Sequence, residues 1–273
     1  MESQRDGLFD LSGKTAIVTG GCGILCFAMA AALRDFGAKV ALLDRQHERG
    51  QECAETLGDG VIASYADVLD RDSLVAAAEE TRAAFGPADI LVNCAGGNRA
   101  DATTSESASF FDLPPDALKS VFDLNFIGTL IACQVFGQQM ADKGAGVILN
   151  ISSASASRPL TRVPAYSAAK AGIENFTKWL ATHMALEYSP EIRVNAIAPG
   201  FFLTQQNRFL MIDERTGDVT DRGRLILDHT PMKRFGVPMD LAGTMLWLVS
   251  PASAFVTGIV VPVDGGFGAY TGV

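Results

Sequence analysis

Short apolar runs rich in β-branched residues alternate along the chain with longer stretches of helical period. The runs cover residues 15–19, 39–43, 61–65, 90–93, 147–151, 192–197 and 259–263. Between them the spacing predicts helices over 25–35, 48–57, 73–85, 115–139, 165–187 and 239–250. Strands that are apolar at consecutive positions are buried on both faces, as in a parallel sheet covered by helices on both sides. Right-handed crossovers turn that order into a doubly wound α/β sheet, Rossmann-like, with about seven strands. No internal repeat or linker-like stretch interrupts it, so one domain over 1–273 is expected.

Two segments break the rhythm. Residues 96–113 are polar and rich in Ser, Thr and Ala, and 201–236 follow the sixth run. Both leave the carboxyl ends of strands, where open α/β sheets bind ligands. Long segments there are often lids, and 201–236 is expected to be one over a substrate.

Composition narrows the class. Of 273 residues, 48% are hydrophobic, and no apolar run reads as long enough to span a bilayer. Residues 1–14 are polar and lack the apolar core of a signal peptide, so a soluble cytoplasmic protein is expected. The net charge of −9 disfavours nucleic acid as a partner. The five cysteines, Cys22, Cys26, Cys53, Cys94 and Cys133, are odd in number and scattered, which suggests neither a disulfide framework nor a zinc site. His47, His183 and His229 lie far apart in sequence, and no metal is expected.

The chemistry starts at the end of the first run. Thr19-Gly20-Gly21-Cys22-Gly23 is a glycine-rich turn that leads through Ile24 and Leu25 into a helix, a place for a pyrophosphate at a helix N-terminus. Asp44, at the end of the second run, can accept hydrogen bonds from both hydroxyls of an adenosine ribose. It would repel a 2′-phosphate, favouring NAD, while the adjacent Arg45 keeps NADP possible. Asp67 and Val68 follow the third run as adenine contacts, Asp67 being equally readable as a helix cap. Asn93, Ala95 and Gly96 follow the fourth run and would pass beneath a cofactor.

Tyr166 and Lys170 are four residues apart and share a helix face, with Ser153 thirteen residues before the tyrosine. A phenol ionises near ~10, and a neighbouring ammonium lowers that value towards useful acid/base work. The serine hydroxyl can hold a carbonyl beside it. Ser153 as a hydrolytic nucleophile is disfavoured, because no histidine base lies near it in sequence.

Taken in order, the glycine turn, Asp44, Asn93-Cys94-Ala95-Gly96, Asn125, Ser153, Tyr166, Lys170 and Pro199-Gly200 resemble the short-chain dehydrogenase/reductase family from residue 11 to 266. The resemblance implies Tyr166 as general acid/base, and Lys170 as the group that lowers its pKa and binds the nicotinamide ribose. It implies that Ser153 polarises the carbonyl and that Asn125 holds a relay water. It extends cofactor contacts to Pro199, Gly200, Phe202 and Thr204, and it implies a homotetramer. One departure stands out: Ile24 and Cys26 occupy positions where the family pattern TGxxxGxG has glycines.

The runs DLNFIGT, NAIAPGFFLTQQNR and HTPMKRFG and the ending PVDGGFGAYTGV resemble the D-mannonate oxidoreductase, or fructuronate reductase, branch of that family. That branch implies interconversion of a secondary alcohol and a ketone on a sugar acid. A substrate carboxylate wants arginine or backbone donors. Arg99, Arg158 and Arg162 are candidates for it; Asn98, Ser155, Gln205 and Asn207 are candidates for hydroxyls. A reductase of another small carbonyl, of gluconate or 3-oxoacyl type, and a catalytically silent nucleotide-binding sensor are the competing readings.

Overall fold

The structure is a computed structural model and describes residues 7–204 and 207–272. In chain order its elements are β1 (Thr15–Thr19), α1 (Ile24–Asp35), β2 (Lys39–Asp44), α2 (His47–Leu57), β3 (Val61–Tyr65), α3 (Arg71–Phe85) and β4 (Ile90–Asn93). There follow α4 (Pro115–Phe122), α5 (Gly128–Lys143), β5 (Gly146–Ile151), α6 (Pro164–Glu187) and β6 (Ile192–Pro199). The last are α7 (Arg208–Met211), α8 (Asp221–Asp228), α9 (Met239–Val249) and β7 (Val260–Val263). The strands form one parallel sheet in the order β3-β2-β1-β4-β5-β6-β7.

Every residue of β1, β4 and β6 is buried, which explains their unbroken apolar character. One face carries α1 and α9, with Met29, Leu33, Leu42, Met245 and Leu248 in its core. The other carries α3, α5 and α6, packed around Leu74, Leu91, Phe136, Met140 and Ile148. Strand order reverses between β1 and β4, so the ends of these two strands flank a crevice. The register pairs Thr19 with Asn93 and Asn93 with Asn150, which sets the loops after β1, β4 and β5 level with one another.

The expected helix over 115–139 runs on to Lys143, with a π-helical turn at Asp123–Ile127 between α4 and α5. Such turns are rare and cluster at functional sites. Pro115–Lys143 is also long and apolar enough to cross a membrane by length and composition, which corrects the expectation that no run is. Half of its most apolar window is buried inside the fold, so core packing accounts for that character. Within 201–236 lie α7 and α8, and an isolated bridge joins Phe202 to Gly236 at its two ends. The first inserted loop holds two short 3₁₀ turns, Ala100–Ala102 and Phe110–Asp112.

The cysteines are the second correction. Cys26 and Cys94 are joined by a disulfide, with Cα atoms 6.1 Å apart. Separated by 68 residues, they meet only because β1 and β4 are neighbours in the sheet, a relation that spacing along the chain does not reveal.

Candidate active site

The loops after β1, β2, β4, β5 and β6 enclose a cleft of about 650 Å³. At its nucleotide end the Thr19 hydroxyl accepts the N–H groups of Cys94 and Ala95 at 3.1 and 3.2 Å, tying the glycine turn to the β4 loop. Gly20 has φ +64, and a Cβ there would lie 2.8 Å from the Ala95 Cα. Only glycine combines that conformation with that approach. Gly23 is the N-cap of α1 and provides no side-chain cap, so the first N–H groups of the helix are free for an anion. The two glycines missing from the family pattern are thus not needed for the turn: Gly20 supplies the left-handed residue and Gly23 starts the helix.

Asp44 lines the cleft beyond the turn. Its carboxylate accepts the Cys22 N–H at 3.2 Å and the Gln46 N–H at 3.0 Å. Arg45 and Arg49 line the same end, and the exposed Arg45 lies 3.7 Å from the half-buried Asp67. Gly20, Cys22, Gly23, Ile24, Leu25, Val68, Ala95, Gly96, Pro199, Gly200, Phe202 and Thr204 line the cleft. An uncapped helix start and a carboxylate at this spacing fit an adenine dinucleotide.

Three nucleotide-end expectations change. Gly21 packs behind the turn, where a Cβ would meet the Leu42 side chain at 2.9 Å. Asp67 does not line the cleft; its carboxylate closes a local turn with the Leu69 N–H, while Asp70 caps α3. Asn93 points inward, donating to Asn150 Oδ1 at 2.9 Å, and Asn150 donates in turn to Thr177 at 2.9 Å. That buried chain couples β4, β5 and α6 and so sets the site from behind.

The chemical end is built by β5 and α6. Pro164 occupies the first turn of α6, a position that suits its missing N–H, and Tyr166 and Lys170 follow on one face. Lys170 is buried; its Nζ donates to the Ile151 carbonyl at 2.8 Å and lies 5.6 Å from the Tyr166 ring centroid. Burial brings its pKa down to about 8. The Tyr166 phenol is pushed up by burial and pulled back by a hydrogen bond with the Ser153 hydroxyl. The expectation that Lys170 lowers the phenol is therefore corrected: desolvation is the larger effect here. The Ser153 hydroxyl also accepts the Ser155 N–H at 3.2 Å.

Asn125 sits in the π-helical turn and is fully buried. Its Nδ2 donates to the carbonyls of Gly97 at 2.7 Å and Val121 at 2.8 Å, and its Oδ1 accepts the Gly97 N–H at 3.2 Å. A Cβ on Gly96 would lie 2.6 Å from Asn125 Oδ1 and 3.4 Å from Lys170 Nζ, so glycine lets three elements converge.

The substrate candidates divide. Asn98, Arg99 and Asn207 line the cleft, Arg99 pairing with Asp101 at 2.7 Å. Ser155 is buried outside the cleft lining, and Arg158 donates to the Gly268 carbonyl at 3.0 Å, which ties it to the C-terminal segment. Gln205 lies outside the described residues. Arg162 lies near Arg222, whose pKa is lowered by burial and then by the Arg162 charge. Arg222 Nε is buried without a partner among the described residues. Sequence reading missed Arg222, Arg49 and the Cys26–Cys94 pair, because none carries a local motif. Among the described residues no cluster of metal-binding side chains occurs.

The arrangement places a phenol, a hydroxyl and an ammonium around one opening beside a dinucleotide cleft, the requirement for coupling proton transfer at an alcohol oxygen to hydride transfer. A family model described as enoyl-(acyl carrier protein) reductase matches residues 23–268. The chain belongs to the short-chain dehydrogenase/reductase family and is an NAD(P)-dependent oxidoreductase of alcohols and ketones, related to sugar-acid dehydrogenases. It is 51% identical to an uncharacterised oxidoreductase, UxuB, of Bacillus subtilis (strain 168), over 97% of this chain and 98% of that one. A Haemophilus influenza protein provisionally named D-mannonate oxidoreductase, solved with bound NAD, superposes with a TM-score of 0.89 at 42% identity, covering 97% and 98% of the two chains. A gluconate 5-dehydrogenase from Burkholderia cenocepacia J2315, in complex with NADP and tartrate, gives a TM-score of 0.84 at 30% identity, covering 97% and 98%.

Proposed function

We propose that this enzyme interconverts a secondary alcohol and a ketone on a sugar acid of the D-mannonate/D-fructuronate type, with NAD as the preferred cofactor. The observation that carries the chemistry is the convergence of Ser153, Tyr166 and Lys170 at the cleft formed by the β5 and α6 ends. When bound, the cofactor accepts or supplies the hydride. Tyr166 passes the proton to or from the alcohol oxygen, Ser153 holds that oxygen, and Lys170 holds the cofactor ribose and bears on the phenol. Asn125 holds the 97 loop and a relay water beside Lys170. One domain carries both sites, with 201–236 as the lid.

An acidic substrate is supported by the cations at the opening. Arg99 lines it, and the charge of Arg162, after Ser153 in the chain, is felt by Arg222 on α8. Arg222 Nε has no acceptor among the described residues, as expected of a group that awaits a carboxylate. NAD is favoured because Asp44 stands in the cleft; Arg45 and Arg49 beside it leave a route for NADP. A homotetramer is supported by an aromatic ladder on α4, the π-helical turn after it and α6, from Phe122 through Phe126, Phe176 and Trp179 to His183, with Trp179 exposed.

A panel of keto-uronates, aldonates and neutral polyols, each with NAD and NADP, tests the reading. The expected result is a kcat/KM for an acid above that for its neutral polyol counterpart by about tenfold or more, the value of one charge-assisted contact. Preference for neutral polyols would remove the sugar-acid assignment. Cofactor binding with no hydride transfer to any compound would favour a sensor.

A further inference from the structure

We propose that Cys26 and Cys94 form a redox-modification site, a thiol–disulfide pair in the wall of the cofactor cleft, exchanged by small thiols and disulfides and setting cofactor affinity. The inference rests on the family's dinucleotide cleft being the cofactor site of this chain. Cys26 lies in the first turn of α1 and Cys94 directly after β4, and both line the cleft. The bond therefore joins the helix start that would face a pyrophosphate to the loop that would run beneath the cofactor. A small thiol can reach the bond from the cleft, and a bound dinucleotide would cover it.

The two walls have little slack. A Cβ on Gly20 would lie 2.8 Å from the Ala95 Cα, so the backbones already touch one residue from Cys94. A Cβ on Gly23 would lie 3.3 Å from Cys26 Sγ, so the sulfur also lies close to the α1 N-cap. Once the bond is broken, two sulfurs must separate to van der Waals distance. Either α1 and the β4 loop part, or a thiol turns into the cleft. Both changes alter the surface that meets the cofactor. The closed form holds the walls in one arrangement, and preorganisation of that kind raises affinity.

The other cysteines do not compete for this role in the structure. Cys133 is sealed in the core and pushed up to about 12 by burial. The Cys22 thiol is raised by burial and by the negative charge of Asp44, which makes it a poor nucleophile, and it remains free, as does its neighbour Cys53.

The exchange balances without any further reagent. A small thiolate attacks one sulfur, the Cys26–Cys94 bond breaks, and a mixed disulfide forms. A second small thiolate then releases the protein sulfur. Two small thiols become one small disulfide, and two electrons and two protons pass to the protein as two thiols. The reverse, with a small disulfide as oxidant, restores the bond. By linkage, a cofactor that prefers the closed form also protects it from reduction.

The test is NADH fluorescence titration of the whole enzyme, equilibrated first with oxidised and then with reduced dithiothreitol, with thiols counted by alkylation and mass. The oxidised form should show three free thiols and the reduced form five, in line with the three free cysteines and the total of five. NADH should bind the oxidised form tighter by about fivefold or more, a difference of ~1 kcal/mol in preorganisation. Cys26→Ser and, separately, Cys94→Ser should bind NADH equally under both conditions, while Cys53→Ser keeps the difference. Five free thiols after oxidation, equal affinity in the two forms, or tighter binding by the reduced form would overturn the proposal. So would a response lost in Cys53→Ser, which would place the bond at Cys22 and Cys53. If neither form binds NADH while both fold, the cofactor reading itself fails, a separate outcome.

Discussion

Lys170 Nζ donates to the Ile151 carbonyl at 2.8 Å, so the end of β5 anchors the ammonium that faces Tyr166. This contact is made from a buried position, and burial brings the lysine down to about 8 from its ordinary value of 10.5. Between those values the unfolded chain holds a proton that the folded chain has released. Unfolding then takes up a proton, and raising the pH makes unfolding less favourable. Relative to Lys170→Met, the native enzyme should therefore gain stability from pH 8 to 10. Urea midpoints of both proteins across that range check it, and parallel curves would show that Lys170 does not titrate there.

Tyr166 carries the proton in the proposed reaction. Tyr166→Phe keeps the ring and removes only the hydroxyl, so the packing of the phenyl group in the cleft is preserved. Turnover should fall by about 10²–10⁴-fold, the usual contribution of a positioned acid or base, with NADH affinity within about threefold of native. Steady-state rates and fluorescence titration measure the two quantities. Activity within a few-fold of native would transfer the proton to another group.

Asn125 organises the site through three hydrogen bonds to backbone groups of Gly97 and Val121. Asn125→Ala removes these bonds, from the partly buried Gly97 at the cleft and from the Val121 carbonyl in the interior. Each orphaned group costs about 1–3 kcal/mol, and water entry relieves part of that. Denaturant unfolding should show a loss of about 2 kcal/mol or more, on the same basis. A loss of turnover without a loss of stability would instead point to the relay role alone.

Much of this was legible in the chain because parallel strands buried on both faces leave unbroken apolar runs. All seven strands are recovered within a residue or two, and the proposed catalytic trio lies where a helix face and a strand end place it. What was not legible depends on neighbours distant in sequence. The Cys26–Cys94 bond arises because β1 and β4 lie side by side, and spacing of 68 residues gives no hint of it. Arg222 feels the charge of Arg162, sixty residues earlier in the chain, and no local pattern marks the two as neighbours. Asn93 belongs to a strand end that reads as cofactor-facing, yet its side chain takes the inward alternate of the pleat and bonds Asn150. The Tyr166 shift was misjudged for a related reason: helical spacing reports a nearby ammonium but not how much water burial removes.

Arg222 tests the acidic substrate. Arg222→Gln keeps a polar head and removes the charge, so a carboxylate loses its ionic partner while hydroxyl contacts persist. KM for an aldonate should rise about tenfold, with kcat and the KM for a neutral polyol nearly unchanged, since charged hydrogen bonds are worth ~1.5–3 kcal/mol. Arg222→Lys should restore part of the effect. Equal rises for acid and polyol would make the residue a support of the lid and not a carboxylate contact.

In the proposed reading Asp44 decides between the two cofactors. Its carboxylate accepts the N–H groups of Cys22 and Gln46, so it also holds the glycine turn against the end of β2. Asp44→Asn keeps an acceptor for one N–H and removes the charge that would repel a 2′-phosphate, while Arg45 and Arg49 remain beside it. The ratio of kcat/KM for NADP to that for NAD should rise about tenfold, the scale of one charged contact. Asp44→Ala should raise the ratio similarly and also weaken NAD binding, because the turn loses both acceptors. Initial rates with each cofactor at a saturating substrate give the ratios. An unchanged ratio in Asp44→Asn would move selectivity to the arginines, and Arg49→Ala would then be expected to depress NADP use in the native background.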